Sequence, residues 1–214
     1  MYKHPKINRD NITPREALDI LIEGNQRFID NVKRQHDMLN IRDEIKDKQH
    51  PFASILGCSD SRTTVELIFD QNLGDLFSVR LAGNIASRKA IGSLEFSCEQ
   101  LGSKIIIVMG HSNCGAIKAA CDQYKGGNIG EIIKLIEPAV GAEKSVEDKE
   151  QRNSQNDLFV EKVCFLNVHK QIERILHLSP IIDQMIKDKK IGLIGGVYNL
   201  SSGIFEIDSE SSFL

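Results

Sequence analysis

The stretch FASILGCSDSR, residues 52–62, predicts the fold of this chain. Its first five residues form a short apolar run of the length expected for a buried strand. Side chains in an extended chain alternate with a period of two, so we expect Cys58, Asp60 and Arg62 to leave the strand end on one side. A thiol, a carboxylate and a guanidinium are therefore predicted to meet at the tip of this strand.

Each of these side chains alone has an ordinary structural explanation. A lone cysteine is most often a small buried hydrophobe, and Asp60 with Arg62 could be a structural ion pair. A second stretch, GHSNCG at residues 110–115, changes this balance because it follows another apolar run, residues 105–109. It places an imidazole and a thiol three residues apart at the tip of a second strand, where one turn can present both to a metal ion.

Cys58, His111 and Cys114 together make a soft three-ligand set that favours zinc and leaves a fourth position for water or a carboxylate. Structural zinc sites are usually closed by four protein ligands, and the chain offers no obvious fourth thiol. Asp60 is the candidate fourth ligand, in a closed state only, and Arg62 is placed to hold it away from the metal. An open site of this kind predicts catalysis with one Zn²⁺ per chain.

The sequence Cys-Ser-Asp-Ser-Arg, followed about fifty residues later by His-x-x-Cys, resembles the β-class carbonic anhydrases. The likeness is detailed over residues 49–121 and looser over residues 195–203. It implies reversible hydration of CO₂ to bicarbonate and a proton. In that reaction Asp60 is expected to orient the nucleophile, and Arg62 to keep the carboxylate ionised and aimed.

The resemblance also implies a set of substrate-binding residues. Gln49 falls on the position of a glutamine that donates a hydrogen bond to substrate in one subgroup, and Phe77 matches an aromatic residue lining the pocket. By pattern alone, Gln49 is a solvated turn residue and Phe77 a core residue. Gly115 begins a helix, whose N–H groups and dipole favour an anion such as bicarbonate.

Two departures from the family pattern bear on the pocket. Ile55 stands where one subgroup has a tryptophan, so we expect that subgroup's inhibitory bicarbonate pocket to be absent. Phe96 replaces a tyrosine that many members carry, which removes a hydroxyl group from the pocket. Gln49 and Ile55 group the chain with members whose fourth zinc position holds water, with Asp60 kept by Arg62.

Two other functions are compatible with the same residues. Hydrolysis of CS₂ or COS needs the same nucleophile and differs only in the access route to the site. A non-catalytic zinc-binding domain would instead need Asp60 to stay on the metal.

The rest of the chain alternates apolar runs with helical patterns. This alternation predicts a single α/β domain, residues 1–214, with a mostly parallel central β-sheet flanked by helices. Residues 1–48 are predicted to be an N-terminal helical arm that packs on a partner subunit, and residues 49–214 the zinc-binding core. The arm is polar after its first helix, and the resemblance places the pocket at a subunit interface, so we expect a homodimer or homotetramer.

Composition excludes several classes of partner. The 214 residues are 41% hydrophobic and 27% charged with a net charge of −3, and they contain no basic stripe that would indicate nucleic-acid binding. No run approaches the roughly 18 apolar residues of a membrane-spanning helix. The first residues lack the apolar segment of a secretory signal, and Cys98, Cys121 and Cys164 fit reduced, buried thiols, so we expect a cytoplasmic protein.

Overall fold

The computed structural model describes residues 8–9, 11–32, 34 and 38–214, and its centre is one five-stranded sheet. The strands are β1 (Ala53–Gly57), β2 (Leu76–Arg80), β3 (Ile105–His111), β4 (Gly192–Tyr198) and β5 (Phe205–Phe213). Their order across the sheet is β2-β1-β3-β4-β5, and every neighbouring pair is parallel except β4 with β5. The predicted α/β fold with a mostly parallel sheet is confirmed.

Helices connect the strands and cover both faces of the sheet. The α-helices are α1 (Pro14–Ile29), α2 (Met38–Ile45), α3 (Val65–Ile68), α4 (Arg88–Glu99), α5 (Gly115–Cys121), α6 (Ile129–Ala142), α7 (Asp157–Leu178) and α8 (Pro180–Lys187), with 3₁₀ turns at Ala82–Asn84 and Lys149–Gln151. In the part of the chain that the structure describes, no helix is both long and apolar enough to cross a membrane.

The two faces of the sheet carry different sets of apolar side chains. Ile55 and Ile107 face α1 and α3, whereas Leu56 and Val108 face α4, α7 and α8. All residues of β1, β3 and β4 are buried, as expected for parallel strands covered on both sides. This double cover explains why these strands are uninterrupted apolar runs in the sequence.

The start of α1 is fixed by its own sequence. The Thr13 hydroxyl accepts a hydrogen bond from the Glu16 N–H at 3.2 Å, and the Glu16 carboxylate accepts one from the Thr13 N–H at 2.8 Å. These two bonds form a reciprocal capping box, with Pro14 in the first turn. The helix ends at Ile29, and Val32 beyond it is exposed.

The predicted arm has little core of its own beyond α1. Helix α2 has no buried residue, and its Met38 and Leu39 side chains are 47% and 66% exposed. Packing of this arm on a partner subunit stays a prediction, as does the boundary at residues 48 and 49. The last strand, β5, runs antiparallel to β4 as far as Phe213.

Candidate metal centre

The three predicted ligands meet at the carboxyl edge of the sheet. Cys58 follows β1, His111 is the last residue of β3, and Cys114 is the N-cap of α5. Their ligating atoms lie within 4.8 Å of one another, and the two sulfur atoms are 3.9 Å apart. All three side chains are buried. Adjacent parallel strands bring their carboxyl ends together, which is why residues 53 positions apart share one site.

The imidazole of His111 is oriented as a metal ligand. Its Nδ1 atom lies 2.9 Å from the carbonyl oxygen of Ser112, so we assign the proton to Nδ1, which donates to that carbonyl. The Nε2 atom is buried and has no hydrogen-bond partner among the described residues. A buried lone pair without a partner is costly, and a metal ion at the cysteine sulfurs satisfies it.

The two neighbouring thiols differ in how readily they ionise. A hydrogen bond from the Cys114 thiol, with contributions from His111 and the Gly83 N–H, lowers the pKa of Cys58 well below its ordinary value. The adjacent Cys58 sulfur and burial both raise the pKa of Cys114. Only one of the two thiols therefore ionises readily while no cation is bound. The donor set fits Zn²⁺, which binds thiolates and a neutral imidazole.

Asp60 and Arg62 form a two-point ion pair beside the ligands. Arg62 donates from Nε to Oδ1 at 2.9 Å and from Nη2 to Oδ2 at 2.8 Å, and its backbone N–H donates to Oδ1 at 2.9 Å. These bonds hold the pKa of the Asp60 carboxyl well below its usual range. We expected this pairing from the alternation of side chains in an extended chain, and that reason was wrong. Strand β1 ends at Gly57, and a turn at residues 61–62 brings the two groups together.

Two residues hold the loop that carries Cys58 and Asp60. Arg80, at the end of β2, donates from Nε to the Cys58 carbonyl at 3.0 Å and from Nη2 to the Asp60 carbonyl at 2.6 Å. The Thr63 hydroxyl lies 3.2 Å and 2.9 Å from the same two carbonyls. Sequence reasoning assigned neither role. An arginine ending a strand beside β1 was the available signal, but it also fits a solvated strand end.

The three predicted pocket residues, Phe77, Gly115 and Gln49, lie in different parts of the fold. Phe77 is half-buried on β2, and its ring centroid is 6.4 Å from that of Phe96, which is 47% exposed. Gly115 is the first residue of α5, and a side chain there would meet open space. Gln49 is exposed and precedes the amino end of β1, whereas Cys58 follows the carboxyl end of the same strand.

The other cysteines are buried and free, as predicted. Burial raises the pKa of Cys98, Cys121 and Cys164 to about 12. The Cys164 thiol donates to the His111 carbonyl oxygen at 3.3 Å, so it supports a ligand's backbone and is not itself a ligand.

The parallel sheet with a Cys₂His centre at its carboxyl edge defines the class of protein: an α/β zinc enzyme. The sequence profile of the carbonic anhydrase family matches residues 53–205. Over 200 residues the chain is 32% identical to carbonic anhydrase 2 of Mycobacterium tuberculosis, covering 90% of this chain and 92% of that protein. The chain therefore belongs to the carbonic anhydrases, and its Cys-His-Cys site and fold place it in the β class.

Solved structures agree with this assignment. The β-carbonic anhydrase CcaA superposes with a TM-score of 0.68 at 27% identity, covering 88% of this chain and 86% of that one. A β-carbonic anhydrase of Sordaria macrospora, described as tetrameric, gives a TM-score of 0.66 at 23% identity, covering 80% and 88% of the two chains. The protein is a zinc-dependent carbonic anhydrase that interconverts CO₂ and bicarbonate.

Proposed function

We propose that Cys58, His111 and Cys114 hold the Zn²⁺ of this carbonic anhydrase, with the fourth position open and Asp60 held away from the metal by Arg62. Bound zinc lowers the pKa of a water molecule to about 7, a general property of zinc in carbonic anhydrases, which supplies hydroxide near neutral pH. The observation that carries the proposal is the set of three hydrogen bonds from Arg62 to the Asp60 carboxylate.

Asp60 is the residue proposed to orient the nucleophile. Its Oδ2 atom lies 3.9 Å from His111 Nε2, so the carboxylate borders the position where the ligating atoms converge. Arg62 keeps this carboxylate ionised, and an ionised carboxylate only accepts hydrogen bonds. Asp60 can therefore accept the nucleophile's proton in a hydrogen bond and turn an oxygen lone pair toward CO₂.

A non-catalytic zinc site would need a different arrangement of the same residues. Asp60 would have to exchange its bonds from Arg62 for the metal, and hydrogen bonds between two charged groups are stronger than those between neutral groups. That cost favours the open site. Hydrolysis of CS₂ or COS uses the same groups, and no contact in the described residues favours it.

Gln49 is proposed to bind substrate from a second copy of the chain. Strand β1 lies between Gln49 and Cys58, and its five residues span roughly 13 Å. Within one chain the amide therefore lies at the wrong edge of the sheet. The exposed α2 and the tetrameric Sordaria enzyme support a homodimer or homotetramer whose interface brings Gln49 and Phe77 of one chain to the zinc of the other. The Gly115 N–H, next to Cys114, is proposed to bind the substrate at that same zinc.

A cytoplasmic location is proposed from the thiols. All five cysteines are free, and proteins of oxidising compartments more often use cysteines in disulfides.

Stopped-flow measurement of CO₂ hydration by the zinc-loaded protein, from pH 6 to pH 9, tests the proposal. We expect activity that rises with pH as the nucleophile forms, and no comparable hydrolysis of CS₂ or COS. Zinc-loaded oligomer that hydrates CO₂ no faster than the metal-free protein would contradict it.

A further inference from the structure

Two amide side chains are completely buried on α7, next to the metal centre. Asn167 and Gln171 are 0% exposed and lie one helical turn apart, and Gln171 Nε2 donates to Asn167 Oδ1 at 2.9 Å. A buried amide destabilises a protein unless its hydrogen bonds are made. The partners of this pair therefore indicate its purpose.

The pair ties the segment at residues 82–86 to α7. Asn167 Nδ2 donates to the Gly83 carbonyl at 3.0 Å and lies 3.4 Å from Asn84 Oδ1. Gln171 Oε1 accepts a hydrogen bond from the Ala86 N–H at 2.8 Å. Both ends of the segment are thus attached to one rigid helix.

The segment at residues 82–86, which follows β2, contains backbone angles that regular helices and strands do not have. Gly83 and Asn84 have φ angles of 69° and 45°, in the left-handed region that few residues other than glycine and asparagine adopt. A side chain on Gly83 would lie 2.7 Å from Ile136 Cδ1 and 3.2 Å from Ala116 Cβ. The turn is therefore pressed between helices and depends on outside contacts for its shape.

The shape of the turn decides where one backbone donor points. The Gly83 N–H donates to Cys58 Sγ at 3.3 Å. A hydrogen bond to a ligand sulfur withdraws electron density from it, and such contacts around a metal tune both affinity and reactivity. A two-thiolate site has particular need of such a bond, because thiolates donate more charge to zinc than imidazoles do.

We propose that Asn167 and Gln171 are positioning residues of the zinc site. They fix the segment at residues 82–86 so that the Gly83 N–H stays bonded to Cys58 Sγ, and that bond sets how strongly the thiolate donates to the metal. The inference rests on the proposed zinc ligands. It does not rest on CO₂ hydration.

The test uses the Co²⁺-substituted protein, whose sulfur-to-cobalt charge-transfer absorption reports thiolate donor strength directly. In Asn167→Ala the sulfur loses its hydrogen bond and holds its electrons less tightly, so the band shifts to lower energy. Cys58 also loses a contact that holds it in the ligating position, so the zinc dissociation constant rises about 10-fold or more. The matched control is Asn25→Ala, since Asn25 is a buried helical amide that bonds the Gly203 carbonyl and the Phe205 N–H on the other face. The control should leave both readouts unchanged.

A second variant and a measurement without any variant complete the test. Gln171→Met keeps the side-chain volume and loses the amide, and it should shift the band in the same direction. In the unmodified zinc protein, hydrogen exchange at the Gly83 amide should be slow. An unshifted band in folded Asn167→Ala and Gln171→Met, an equal shift in Asn25→Ala, or rapid exchange at Gly83 would overturn the proposal. Unmodified protein that shows the thiolate–cobalt band but fails to hydrate CO₂ would contradict the proposed function alone.

Discussion

The chemistry of single residues at this site is governed by charge in a buried space. Cys58 and Cys114 have sulfur atoms 3.9 Å apart, and the Cys58 sulfur raises the pKa of Cys114. The Nε2 atom of His111 is also buried and has no hydrogen-bond partner among the described residues. One divalent cation can bind both sulfur atoms and this nitrogen, which compensates for their burial. Metal binding should therefore depend strongly on each ligand.

Substituting a ligand cysteine should remove most of the zinc. Cys58→Ser and Cys114→Ser each replace a thiolate by a hydroxyl that stays protonated near neutral pH and binds zinc poorly. Zinc content per chain, measured by atomic emission, should fall from about one to a small fraction. Cys98→Ser is the matched control, because Cys98 is equally buried and lies on α4, away from the site. Full zinc occupancy in both ligand variants would refute the assignment.

Removing the partner of Asp60 should reduce activity without removing zinc. In Arg62→Ala the carboxylate loses both hydrogen bonds from the guanidinium and keeps only the one from the backbone N–H, so it becomes free to reach the metal. We expect CO₂ hydration to fall about 10- to 100-fold at unchanged zinc content. Arg15→Ala, which breaks the exposed pair with Asp19, should retain full activity. A crystal of the unmodified zinc protein near pH 7.5 with Asp60 on the metal would contradict the open site.

Among the elements, the connection from α6 to α7 depends on one buried ion pair. The Glu143 side chain is 3% exposed, and its carboxylate accepts hydrogen bonds from Ser145, Val146 and Arg152. Burial raises the pKa of Glu143, but these donors outweigh it, so the pKa is lowered from its ordinary value of 4.5. This pair fixes the start of the helix that carries Asn167.

Glu143→Gln should therefore destabilise the fold in a pH-dependent way. The lowered pKa means that ionised Glu143 stabilises the folded state above pH 4.5, and that this contribution is lost as the pH falls through the folded value. Guanidinium unfolding should show a loss of about 1–3 kcal/mol at pH 7 and a smaller loss at pH 4. Glu131→Gln, at an exposed pair with Lys134, serves as the control. Equal losses at both pH values would contradict the ionised pair.

At the scale of the whole molecule, the sheet separates Gln49 from the metal centre at which we propose that it binds substrate. Gln49 lies before the amino end of β1, and the metal ligands lie beyond its carboxyl end. An assembly of two or more copies can place the Gln49 of one chain at the zinc of another. Sedimentation should therefore show a dimer or larger oligomer at assay concentrations, and an active monomer would exclude this arrangement.

Subunit mixing tests whether Gln49 acts across the interface. Gln49→Ala should keep its zinc and oligomeric state but lose activity, and Cys58→Ser should be inactive for lack of zinc. Co-refolding the two variants creates mixed assemblies in which a Gln49→Ala chain has intact zinc ligands and a partner with intact Gln49. Activity should reappear in the mixture, to about a quarter or more of the unmodified level if the partners combine at random. If Gln49 acts within its own chain, the mixture stays inactive.

The sequence by itself determined the buried parallel strands and the three side chains proposed to bind the metal. Runs such as residues 52–56 and 105–109 predict buried parallel strands because covered faces leave no place for polar side chains. Cys58, His111 and Cys114 were predictable because zinc requires those side chains and they follow these runs directly. The capping box of Thr13 and Glu16 was predictable because its bonds join residues three apart in the chain.

The tertiary structure alone decided which distant groups support those ligands. The Arg80 contacts with the Cys58 loop depend on strand register, and the contacts of Asn167 with the Gly83 turn depend on how α7 packs. Such hydrogen bonds join residues 22 to 84 positions apart, and an arginine or an asparagine in a sequence fits many other roles. Local sequence determines which side chains can bind zinc. Long-range packing determines the geometry in which they bind it.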